Sequence, residues 1–203
     1  MKRLDLKQDL RDLYAPSARE AEIIRVPEFR YLMIDGQGDP NSSPLFPLAV
    51  QALYAAVYTL KFMIKKTASV DYPVMPLEGL WWAENLEAFR MELRDDWKWT
   101  LMIMQPPLVT KARFKKALAL AMEKKELELL EHIRLESYEE RLAVQIMHIG
   151  PFAAEGPTIE KLHSFAAERG LRLGGKHHEI YLSARRRVSP GKMKTVIRQP
   201  VRK

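Results

Sequence analysis

The stretch "LMIDGQGDP", residues 32–40, is answered later in the chain by "IMHIGPFAAEGP", residues 146–157. Each is an apolar, strand-like run broken by a glycine, Gly36 or Gly150, and then by turn residues. Two further landmarks recur in the same order. "LEGLWW" (77–82) is matched by "HHEIYL" (177–182), each with an acid followed by apolar and aromatic residues, and "TLMIMQP" (100–106) is matched by "KTVIRQP" (194–200). Three matches in order predict an internal duplication.

Between the first and second landmarks of each copy lies a helical pattern. In the first, Pro47 suits an opening turn, and Val50, Leu53, Tyr54, Val57, Leu60 and Ile64 recur at spacings of three and four. In the second, Pro157 opens a shorter stretch with Ile159, Leu162 and Phe165 on one stripe, stopped at Gly170. Each copy reads strand, helix, strand, strand. The joining segment has Thr110 as its expected N-cap, with Phe114, Leu118, Ala121, Met122 and Leu129 on one side. "RLESYEERLAVQIMHIG" reads as a hairpin around Tyr138 to Arg141. The expected fold class is α+β: a tandem pseudo-twofold repeat of strand-helix-strand-strand units with a ligand cleft between the halves. Residues 1–203 form one domain in this reading: an N-terminal appendage (1–21), a first repeat (22–108), a connecting helix (109–132) and a second repeat (133–203).

The 203 residues, 47% hydrophobic, suffice for one substantial core. No apolar run approaches the roughly 20 residues of a membrane span, and the alternating charges of "MKRLDLKQDLRDLY" do not make a signal peptide, so a cytoplasmic, membrane-free protein is expected. The absence of cysteine removes disulfides, thiolate metal sites and cysteine nucleophiles together. The net charge of +7 is unevenly placed: beyond Glu179 there are eight basic residues and no acid, and setting those eight aside leaves 25 basic against 26 acidic residues. The positives there, among them Arg185, Arg186, Arg187 and Arg198, are interleaved with Val196, Ile197 and Val201, which favours a final strand over a nucleic-acid tail.

Strand alternation decides how "HHEIYL" is used. His177 and His178 point to opposite faces, so they cannot share a metal ion, and no metal or other cofactor is implied. His177, Glu179 and Tyr181 share one face, with His178, Ile180 and Leu182 on the other, largely apolar one. A carboxylate flanked by an imidazole and a phenol suits either a general base acting on water or a counter-charge for a cationic ligand; a solvated strand face is the plain alternative. Glu78 is its counterpart in the first copy. The four tryptophans, Trp81, Trp82, Trp97 and Trp99, lie within 19 positions and suit a core or the wall of an aromatic cavity, to which Tyr54 and Tyr58, one turn apart, add two rings. "GQGDP" lacks the lysine and serine of a phosphate loop, and no nucleophile elbow is present.

Taken together, "YLMIDGQGDPN", "LEGLWW", "DWKWTLMIMQP", "QIMHIGPF" and "HHEIYL…KTVIRQP" resemble the GyrI-like small-molecule-binding family, in its stand-alone branch. The resemblance covers nearly the whole chain after about residue 22. It implies a pocket for planar, often cationic compounds with aromatic walls and one buried glutamate, a role that falls to Glu179. Relatives include effector-binding domains of multidrug-responsive regulators, but this chain carries no helix-turn-helix pattern. The stand-alone branch is also associated with hydrolysis of cyclopropane-bearing, DNA-alkylating natural products. That implies Glu179 as the catalytic base, Tyr181 as its catalytic partner or His177 as a positioning group, and Glu78, Trp81, Trp82, Trp97, Trp99, Tyr54, Tyr58 and His177 as ligand contacts. The alternatives are a non-catalytic multidrug-sequestering protein and, more remotely, one that contacts gyrase or nucleic acid. A small molecule is the expected partner, and a monomer suffices although a dimer is possible. Two departures stand out: Ala184 and Arg185 follow "EIYLS" where an acid and a proline are usual, and Arg141 stands where a glycine is usual.

Overall fold

The computed structural model describes residues 1–84, 96–183 and 188–203. The basic run Arg185 to Arg187 and Ala184 lie outside the described residues. The chain forms two compact units, one from Met1–Leu6, Phe29–Met75 and Trp81–Tyr138, the other from Lys7–Glu28, Pro76–Leu80 and Glu139–Lys203.

The secondary structure is mixed α and β, in the order read from the sequence. The segment read as the first copy supplies β2 (Glu22–Gln37), α3 (Leu45–Ala68), β4 (Leu77–Trp82) and β5 (Lys98–Gln105). The second supplies β6 (Arg134–Ile149), α5 (Gly156–Glu168), β8 (His177–Tyr181) and β9 (Lys194–Arg202). Further elements among the described residues are the helix α4 (Lys111–Lys124) and the short β1 (Lys2–Arg3), α1 (Leu6–Asp9), α2 (Arg11–Tyr14), β3 (Val70–Asp71) and β7 (Arg172–Leu173).

In the first unit β2 and β5 pair antiparallel, with Gly36 opposite Trp99. The glycine answers a steric demand. A Cβ built on Gly36 would stand 2.1 Å from Cη2 and 2.2 Å from Cζ2 of Trp99, so the indole occupies the space a side chain would need. Helix α3 packs through Leu53, Val57, Leu60 and Ile64, the stripe its spacing predicts. By length and composition alone this helix is also sufficient to cross a membrane, a match that scanning for uninterrupted apolar runs passes over because Lys61 falls within the helix. Helix α4 is capped as expected: the Thr110 hydroxyl accepts from the Arg113 backbone N–H at 3.2 Å. Its buried stripe is Phe114, Ala117 and Ala121, whereas Met122 is exposed, because the helix stops at Lys124 and a 3₁₀ turn (Glu128–His132) buries Leu130 instead.

In the second unit β9 is central. It pairs antiparallel with β6 along one edge and with β8, then β7, along the other. One sheet face carries Val144, Ile146, Ile197 and Val201 against Leu162 and Ala166 of α5, with Ile159 and Phe165 closing the cluster.

Two expectations are corrected here. The segment around Tyr138 to Arg141 is not a hairpin: β6 continues without reversal, and Arg141 alone takes a left-handed φ of 66°. The favoured two-residue reversals place a positive φ at their first central residue or at both, and here Glu140 is instead buried and bonded within the strand. Residues 7–21 are no appendage either. Leu13 and Tyr14 are buried, Ala21 joins the core, and the Ser17 carbonyl accepts from the Met147 N–H.

Candidate functional site

β8 presents two chemically different faces, because successive side chains of a strand point oppositely. On the first face the Tyr181 hydroxyl donates to Glu179 Oε2 at 2.8 Å, and His177 Nε2 lies 3.3 Å from Glu179 Oε1. The phenol thus holds one carboxylate oxygen by a hydrogen bond and the imidazole stands near the other, and the Glu179 side chain retains 16% of its exposure, against 7% for His177. The Phe152 ring stands edge-on to Tyr181, 5.4 Å between centroids. His163, from α5, lies close enough to His177 for the two to repel as cations; burial first, and then that repulsion, holds its pKa below the ordinary imidazole value.

The second face was expected to be largely apolar and is not. His178 is completely buried between two carboxylates, with Nε2 3.0 Å from Glu78 and Nδ1 3.0 Å from Glu140. A neutral imidazole has one N–H donor, so two carboxylate partners require the imidazolium. Burial alone would lower its pKa, but Glu140 and then Glu78 outweigh that and raise it to about 9. Glu140 shows the converse: burial would raise it, and His178 and Arg198 hold it at about 2. Arg198, read from sequence as part of a basic strand end, is 2% exposed and bonded to Glu140, to Gln145 and to the Leu13 carbonyl. The Tyr14 hydroxyl closes the chain by donating to Glu78 Oε1 at 2.8 Å.

Glu78 thus shares a face with His178, one residue out of phase with Glu179, and does not join the Glu179 cluster. The duplicated acids have separate surroundings. Sequence reading missed Tyr14, Glu140 and the network role of His178, since nothing in local spacing links them; Phe152, beside Gly150-Pro151, had a signal in the "GPF" turn.

In the first unit Trp81, Trp97 and Trp99 are brought together around Phe46, which the sequence did not single out. Phe46 stacks on Trp81 (5.9 Å, 23°) and meets Trp99 edge-on (5.3 Å), while Trp81 meets Trp97 edge-on (6.1 Å). Trp82, next along β4, points to the opposite face and is half-buried. Tyr54 and Tyr58 stack on each other along α3, and Phe62 extends the row; Tyr58 and Phe62 are exposed.

A strand-borne, partly accessible carboxylate held by a phenol is the kind of placed polar group that a small-molecule site uses. The chain belongs to the GyrI-like small molecule binding domain family, whose model matches residues 19–202. It is similar to a conserved protein of Listeria innocua (41% identity, TM-score 0.91, covering 98% of this chain and all of the other). It is also similar to a hydrolase from Listeria innocua at 38% identity and TM-score 0.85, covering 98% of this chain and 100% of that one. The C-terminal domain of EcmrR shares the fold at 13% identity and TM-score 0.59, over 91% of this chain and 98% of that domain. Comparison with curated proteins gives no match.

Proposed function

We propose that this protein is a hydrolase of planar, electrophilic small molecules that opens strained cyclopropane rings with a water activated by Glu179. The observation that carries the reading is the Glu179 carboxylate, partly exposed and held by the Tyr181 hydroxyl at 2.8 Å, with His177 Nε2 3.3 Å away. Two similar proteins of Listeria innocua, at 38% and 39% identity, are hydrolases, which supports the same reaction class.

In a cyclopropane conjugated to a dienone, water attacks a ring carbon as Glu179 takes one of its protons. The carbon–carbon bond breaks, and its electron pair aromatises the ring and places negative charge on the former carbonyl oxygen. Protonation of that oxygen completes a net addition of water. A positioned carboxylate base contributes about 10² to 10⁴-fold to such a step. Tyr181 orients the base with His177 beside it, and the Phe152 ring, edge-on to Tyr181, offers apolar surface in the same unit.

The test is a product-resolved incubation of wild type and Glu179→Gln with cyclopropyl-dienone substrates and cationic dyes. Glu179→Gln should retain binding of neutral planar ligands and lose hydrolysed product. A wild type that quenches its tryptophan fluorescence with dyes but yields no product from any such substrate would establish a sequestering protein instead.

A further inference from the structure

The buried charges of the second unit lie apart from the proposed chemistry, and their geometry points to a purpose. Five side chains, Tyr14, Glu78, His178, Glu140 and Arg198, form one hydrogen-bonded chain, and each is 6% exposed or less. Its two carboxylates balance one imidazolium and one guanidinium. His178 is its centre: from β8 it reaches Glu78 on β4 and Glu140 on β6, while Arg198, directly opposite His178 on β9, binds the same Glu140.

β8 has only five residues, and two of them are adjacent histidines. A strand slip of one residue moves every side chain to the other face. One slip would bring Glu179 against Glu78 and Glu140, setting three carboxylates against the single cation Arg198. The opposite slip would seat His177 in the network but press Glu179 into the site of Ile180, which is fully buried. Buried ionic groups are best attested as devices that specify register.

We propose that His178 is a positioning residue that locks the register of β8, and so holds Glu179 and Tyr181 on the face opposite the charge network. The inference rests on the proposed role of Glu179 for its functional meaning, but its physical content does not depend on turnover. Tyr14 makes the N-terminal segment part of the lock.

Three measurements test it. In wild type, ¹⁵N-histidine NMR at pH 7.5 should show both ring nitrogens of His178 protonated; a neutral ring would overturn the proposal. Hydrogen exchange on His178→Phe should show loss of protection at Glu179, Ile180 and Tyr181 of at least 100-fold beyond any change in α5. A uniform change in β8 and α5 would mean His178 serves global stability only, and would overturn the lock. If His178→Phe does not fold, Tyr14→Phe, which removes one hydrogen bond and no charge, should give the same selective loss on a smaller scale, about tenfold, and an unselective loss there would equally overturn it. With a cyclopropyl-dienone substrate, whichever variant folds should lower kcat more than it changes KM. Selective loss of β8 protection in a protein whose wild type shows no turnover would leave the lock standing and reject the hydrolase reading.

Discussion

Replacing Gly36 by alanine tests the packing of the aromatic cluster with a single methyl group. No positive φ is involved at this residue, so the cost is steric and falls on Trp99. The new Cβ would lie 2.1, 2.2 and 2.6 Å from Cη2, Cζ2 and Cζ3 of the indole, and the ring must move by more than 1 Å to restore ordinary contact at about 3.4 Å. Trp99 is fully buried, opposite Gly36 in the β2–β5 register and edge-on to Phe46. Displacing an indole that buries roughly 200 Å² forfeits up to about 5 kcal/mol at ~25 cal/mol per Å². Partial relaxation brings the expected loss to about 3–5 kcal/mol, the range of aromatic-to-alanine core substitutions. Urea unfolding followed by far-UV circular dichroism measures it, and a double-mutant cycle identifies the cause. Trp99→Leu removes the colliding atoms, so Gly36→Ala should cost less than about 1 kcal/mol in that background. An equal cost with and without the indole would refute the steric account.

Other residues give sharper local tests. Arg141→Gly relieves a left-handed residue in β6 and should stabilise the protein by about 1 kcal/mol, seen as a higher urea midpoint; no gain would mean that side-chain contacts of Arg141 offset the backbone cost. Thr110→Ala removes the α4 cap and should cost about 1 kcal/mol, with Thr110→Ser close to neutral. Stability should also depend on pH at both ends. Glu140, depressed to about 2 from an ordinary 4.5, contributes stability that is complete above pH 4.5 and lost as pH falls through about 2. His178, raised to about 9 from 6.5, contributes stability that is complete below pH 6.5 and lost as pH rises through about 9. Urea midpoints from pH 3 to 10 should therefore peak between these limits, and a wild type no less stable at pH 10 than at pH 6 would contradict the imidazolium assignment.

How much of this was legible beforehand follows from the range of each signal. The α3 stripe of Leu53, Val57, Leu60 and Ile64 and the Thr110 cap depend on residues within a turn or two of one another, and both appear where the spacing puts them. The grouping of His177, Glu179 and Tyr181 needed only the two-residue period of a strand. The predicted hairpin at Tyr138 to Arg141 failed because its residues carry no strong turn signal, and Glu140 is drawn inside by His178 and Arg198. Spacing left open whether Glu78, the counterpart of Glu179, is a pocket acid or a structural one, because similar letters in two strands do not fix which partners each acid meets.

Sequence alone determined the element order of the two copies, the faces of β8 and the helical stripes, because alternation, periodicity and capping are properties of neighbouring residues. Only the tertiary structure decided that Glu78 is an internal partner of His178 and Tyr14, that Arg198 is a buried counter-ion, and that Gly36 makes room for Trp99. Each of these is a contact between residues far apart in the chain, and charge balance and steric exclusion act on distance in space, which no local pattern records.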